Sequence, residues 1–147
     1  MNSYKRLLIV LAAASLLTGC AGMEGWRTKP EGKYVPAIDA ASAMEGPDQR
    51  TELMVDIASQ PDLSEPEQMY LIDAVVKARC SEPIRDALTH RKRMASADAT
   101  RILLALLKNP AVTQNTKQKV SNVLPKLSLS EEDIASIARA QLETSKP

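Results

Sequence analysis

The sequence predicts an all-α protein of about six short helices following a flexible tether, and three observations carry that expectation. The first is composition: there is no Phe, one Trp (Trp26) and three Tyr, of which only Tyr70 lies beyond residue 47. A core must then be built from Leu, Ile, Val, Ala and Met, whereas sheets draw on β-branched and aromatic residues. The second is the distribution of glycine. All five glycines lie at or before Gly46, and residues 48–147 contain none. The third is punctuation: apolar residues recur at helical spacing in short runs, each opened by a hydroxyl residue or Pro and several closed by Pro.

Taken in order, Pro47 suits a helix start, and Leu53, Met54, Ile57 and Ala58 form one apolar face until Pro61 ends the run. Ser64-x-x-Glu67 is a capping box with Pro66 in the first turn, opening a helix whose buried side is Leu71, Ile72, Val75 and Val76. Ser81 with Pro83 starts a third helix, short, with Ile84, Ala87 and Leu88 inward. Ser96 or Asp98 opens a fourth with Ile102, Leu103, Leu106 and Leu107 inward, ending before Asn109-Pro110. Thr113 caps a fifth through Val120, Val123 and Leu124. Ser130, followed by Glu131, Glu132 and Asp133 against the helix dipole, caps a sixth with Ile134, Ile137, Ala138 and Leu142.

Sliding the chain on itself by 49 residues aligns Thr51 with Thr100, Pro61 with Pro110, Ser64 with Thr113, Lys77 with Lys126 and Ser81 with Ser130, without a gap. Two readings follow: two three-helix units stacked as a short α-solenoid, or one six-helix bundle. The domain then occupies residues 48–147. Residues 20–47, holding four glycines with Pro30 and Pro36, form the tether, with room for a short helix around Ile38 to Met44. Its 27 residues after Cys20 would have an r.m.s. reach of about 26–31 Å and would contribute little to the core.

The N-terminus carries its own pattern. Lys5 and Arg6 precede an apolar stretch from Leu7 to Leu17, interrupted only by Ser15, and Leu17-Thr18-Gly19-Cys20 follows. Eleven residues fall short of the roughly 20 needed to span a bilayer, so residues 1–19 are expected to be a cleavable signal. The tetrapeptide resembles the lipobox of bacterial lipoprotein precursors. That resemblance implies diacylglyceryl transfer to the Cys20 thiol, cleavage before it and N-acylation of the new terminus. Ala21, where no Asp stands, is similar to the pattern of lipoproteins sent to the outer membrane, which implies a lipid-anchored position on its periplasmic face. Without residues 1–19 the chain has 17 basic and 18 acidic side chains, a net −1. A near-neutral total argues against nucleic-acid binding.

Chemistry-bearing motifs are sparse. One histidine (His90) and one cysteine beyond Cys20 (Cys80) cannot make a zinc site, and a glycine-free domain offers no phosphate loop. Asp86, His90 and Ser81 supply triad residue types, but a helical i, i+4 ion pair accounts for the first two. The expectation is a protein without catalytic residues, cofactor, metal or small-molecule substrate. Cys80 reads as a small hydrophobe ending the second helix, or as the thiol of an intermolecular disulfide in an oxidising compartment. The run His90-Arg91-Lys92-Arg93, with Lys77, Arg79 and Arg85 before it and Arg101 after, is the candidate partner surface; Arg85, Arg91, Lys92 and Arg93 are its binding candidates. It suits lipid headgroups, an acidic protein partner or the carboxylates of cell-wall peptides, and equally a solvated connection after a helix C-terminus. Trp26 to Pro30 and Tyr34 offer a second docking segment or interfacial membrane contacts. The expected role is therefore a membrane-tethered interaction or assembly module for another envelope protein. A spacer attaching the outer membrane to the cell wall would need a sustained heptad and a Lys-terminated tail, and an envelope hydrolase would need residues the chain lacks.

Overall fold

A computed structural model describes residues 29–80 and 92–145. Among these, six α-helices and one 3-10 turn make up the regular structure, and there is no strand. We label them α1 (Val35–Ala43), α2 (Pro47–Ala58), α3 (Glu65–Arg79), α4 (Ser96–Lys108), α5 (Gln114–Val123) and α6 (Glu131–Thr144), with the 3-10 turn at Leu124–Lys126. The all-α expectation holds. The helix expected after Ser81 falls outside the described residues.

Local signals place the helix ends. Pro47 occupies the first turn of α2, the Ser64 and Glu67 side chains close a reciprocal capping box on α3, and the hydroxyls of Thr113 and Ser130 accept from the third backbone N–H of α5 and α6. Helix α4 starts differently: Ala95 is its N-cap, and the Ser96 hydroxyl instead donates to Asp133 at 2.6 Å and accepts from the Ser130 N–H at 3.1 Å. Its hydroxyl thus joins the start of α4 to the start of α6.

One boundary is corrected. The packed unit does not begin at residue 48: α1 lies inside the stretch read as tether, and its Val35, Ile38 and Ala41 are buried in contact with α2 and α3. Glycine and proline around α1 suggested coil, but Pro36 sits in the helix's first turn, where a missing N–H costs nothing. The three apolar residues at i, i+3 and i+6 are enough to dock so short a helix.

The 49-residue offset becomes geometry. Helix α2 packs on α4, and α3 on α5. Along this interface Glu52 meets Arg101 (2.8 Å), the carbonyls of Ala58 and Gln60 accept from Asn109 Nδ2 (2.8 and 2.7 Å), and Glu65 accepts from Asn115 (3.2 Å). Further on, Gln68 meets Thr116 (2.7 Å), and Arg79 reaches the carbonyls of Leu127 and Ser128 (2.9 and 2.8 Å). The sequence separation stays near 49 from one end to the other, so equivalent helices run parallel and in register. That is the arrangement of a short α-solenoid, with α1 at one end of the stack and α6, packed on α4, at the other.

Two buried amides hold the units together. Gln68 donates to the carbonyls of Leu63 and Ala111 and accepts from Thr116 Oγ1; Asn109 donates to Ala58 and Gln60 and accepts from the Ala111 N–H. Each replaces the backbone partners that a turn broken by Pro61 or Pro110 leaves open. Between them lies the core of Met54, Leu71, Ile72, Ile102, Leu103, Leu106 and Leu107.

Helix α6 departs from its expected face. Ile137 is buried, but Ala138 is exposed, Ile134 is 40% exposed and Leu142 71%, and Ala140 takes the second buried place. As the last helix of the stack it has neighbours on one side only, so an i, i+3 pair suffices and the i+4 row faces outward.

Candidate functional site

The basic residues singled out from the sequence meet different fates. Arg79, in the last turn of α3, is buried: Nη1 donates to the Met94 carbonyl at 2.6 Å, Nε to Leu127 and Nη2 to Ser128. It clamps the chain on both sides of α4 and α5 and is no part of an open surface. Burial, and then the charge of Arg93, pull its pKa below the ordinary guanidinium value. Ser128, one of its acceptors, has φ 49°, a left-handed conformation that a glycine would adopt without strain.

Around this clamp the open cations gather. Lys92 is exposed; Arg93 is exposed too, although its Nε donates to the Arg79 carbonyl at 2.6 Å, fixing the guanidinium beside the C-terminus of α3. Lys126 after α5 is also exposed, and Cys80 ties it to the end of α3, its Sγ lying 3.7 Å from the Lys126 carbonyl, whereas Lys77, exposed in the last turn of α3, lies toward Asp39 of α1. Cys80 itself ends α3 as expected, partly buried and packed against the edge of the core. Arg85 and Arg91 lie outside the described residues. Arg101 belongs elsewhere, paired with Glu52 on the α2–α4 face, and that pairing holds its pKa above the ordinary value.

A second constellation was missed in the sequence: residues 29–34 form a strap along α1 and α3. Glu67 is the hub. Its Oε2 accepts from the Ser64 N–H (2.8 Å) and hydroxyl (2.7 Å), and its Oε1 from the Tyr34 N–H (2.7 Å). Burial pushes this carboxyl's pKa up, but the donated N–H bonds outweigh it and leave the group below its usual range. Gly32 lies so close that a Cβ there would clash with the Glu67 carboxylate. The Tyr34 hydroxyl and Lys33 both engage Asp62, and the Lys33 ammonium sits 5.1 Å from the Tyr34 ring centroid. Lys29 pairs with Asp39, which also accepts from the Tyr70 hydroxyl at 2.6 Å. These bonds hold Asp62 and Asp39 below the carboxylate range, while the Asp39 contact pushes the Tyr70 phenol up to about 12. Tyr34, offered by the sequence as a docking or membrane-interface residue, is thus engaged with its own chain. The only hint was the capping box, which showed one of Glu67's carboxylate oxygens in use and left the other open.

Among the described residues no group of three or more His, Cys, Asp or Glu side chains is placed to hold a metal ion, and no helix is long and apolar enough to cross a membrane. No protein-family model, curated protein or solved structure matches the chain.

Proposed function

We propose that the chain is a bacterial lipoprotein, anchored through acylated Cys20 on the periplasmic face of the outer membrane, whose helical stack is a non-catalytic module that binds or helps assemble another envelope protein. The observation that carries the reading is Leu17-Thr18-Gly19-Cys20 directly after a basic n-region and an eleven-residue apolar stretch. Two or three acyl chains, at ~0.8 kcal/mol per buried CH₂, hold a protein on a bilayer without a transmembrane helix. The binding side of the proposal is supported by Lys92 and Arg93, exposed at a connection braced by Arg79, where a cationic surface is held without being part of the core.

Cys20→Ala tests the anchor. Fatty-acid labelling is expected to vanish and the uncleaved precursor to accumulate, since acylation precedes cleavage. A cleaved, labelled protein from that variant defeats the reading.

A further inference from the structure

We propose that, on the membrane, the domain lies with its α1 edge toward the lipid surface and presents its α6 end to the compartment. The inference rests on the reading of Cys20 as the lipidated residue. Its first ground is chain length. The strap begins at Lys29, held by Asp39, so only residues 21–28 separate Cys20 from a point fixed on the domain. Nine Cα steps span at most about 30 Å whatever their conformation, against roughly 90 Å had the link run to Pro47. The r.m.s. reach of such a link is ~15–18 Å.

The second ground is the order of helices. The strap lies on α1, Asp62 and Glu67, α1 packs on α2 and α3, these pack on α4 and α5, and α6 packs on α4. Three helix spacings of ~8–10 Å therefore separate the α1 edge from the α6 end. Bringing α6 onto the lipid would require the short link to run nearly fully extended around the whole stack, at a large cost in chain entropy.

Charge is the third. The outward positions of α1 are Pro36, Ala40 and Ala43, small and uncharged, and the helix's one acid, Asp39, is engaged by Lys29 and Tyr70. Among the described residues the α6 end exposes Glu131, Glu132 and Glu143 against Arg139. An anionic lipid surface meets no unpaired charge on the α1 face itself, with Glu31 and Glu45 exposed at its two ends, and three acids against one base on α6. The consequence for binding is that Ile134 and Leu142, exposed on α6, face the compartment rather than lipid.

The test uses the full lipidated chain in a Cys80→Ser background, with a single fluorophore on Ala40→Cys or Ala138→Cys. The protein is placed in phosphatidylethanolamine and phosphatidylglycerol vesicles bearing a headgroup quencher. Quenching is expected to be several-fold stronger at 40 than at 138; equal quenching, or stronger quenching at 138, overturns the orientation. Inserting about 20 Gly/Ser residues between Thr28 and Lys29 raises the reach to roughly 30 Å and should bring quenching at 40 down toward the value at 138. Undiminished quenching at 40 overturns the chain-length argument. Flotation separates the two levels: a lipidated chain that fails to float with vesicles, or a chain beginning at Ala21, without signal or Cys20, that floats as well, defeats the anchor and the orientation with it, whereas a floating chain with the wrong quenching pattern defeats the orientation alone.

Discussion

Glu67 divides its two carboxylate oxygens between two helices, capping α3 through Ser64 and holding the entry to α1 through the Tyr34 N–H. Glu67→Ala removes three donor partners at a buried position, so a loss on the order of 2–3 kcal/mol is expected in urea unfolding. A change under about 0.5 kcal/mol would show that the strap is not coupled to the core. The same residue sets a pH dependence. Asp39, Asp62 and Glu67 all have folded pKa values below their unfolded ones. Their contribution is therefore complete above the ordinary carboxylate range near ~4 and is lost as pH falls through the depressed folded values. Amide protection factors in residues 29–43 should consequently fall below about pH 4 before those in α4 do; a simultaneous fall would refute a separate acid-labile strap.

At the scale of the element, α1 and α6 are both terminal helices, yet they attach differently. Helix α1 inserts Val35, Ile38 and Ala41 between α2 and α3, and full burial of Val and Ile alone is worth about 3–6 kcal/mol. That is a sizeable fraction of a total domain stability of about 5–15 kcal/mol. A chain beginning at Asp48 should accordingly unfold at clearly lower denaturant than one beginning at Lys29, and equal midpoints would return α1 to the tether. In α6 the contrast lies within one helix. Ile137→Ala is expected to cost about 2–4 kcal/mol, and Leu142→Ala less than about 0.5 kcal/mol, because Leu142 is 71% exposed.

For the whole molecule, parallel stacking at a constant offset makes the polar contacts between units equivalent along their length, with Gln68 and Asn109 as the buried clamps. Among the described residues of the basic connection, Lys92 and Arg93 are exposed, and the chain is tied back to the end of α3 by Arg93 Nε on the Arg79 carbonyl and by Met94, whose N–H donates to Ala78 and whose carbonyl accepts from Arg79. Charge reversal at Arg91 and Lys92 should leave thermal unfolding nearly unchanged while reducing crosslinking to the envelope partner in living cells. Because exposed charges are screened beyond ~10 Å at 0.1 M salt, association of the unaltered protein should also weaken as salt is added. Retained capture with no salt response would assign the run to a solvated connection.

The sequence by itself determined the helical class, the caps at Ser64, Thr113 and Ser130, the inward faces of α3 and α4, and the 49-residue offset, because each depends on residues within one or two turns or on a repeated local pattern. The pattern of residues 1–20 is equally local. Tertiary structure alone decided that Arg79 is a buried clamp among basic residues that otherwise read alike, since its acceptors are carbonyls 15 to 49 residues away. It also decided that residues 29–43 belong to the domain, because the partners of Tyr34, Lys33 and Asp39 lie on α3 or just before it. And it turned the i+4 row of α6 outward, since an amphipathic stripe records that a helix can be buried while the number of its neighbours decides how much of the stripe is.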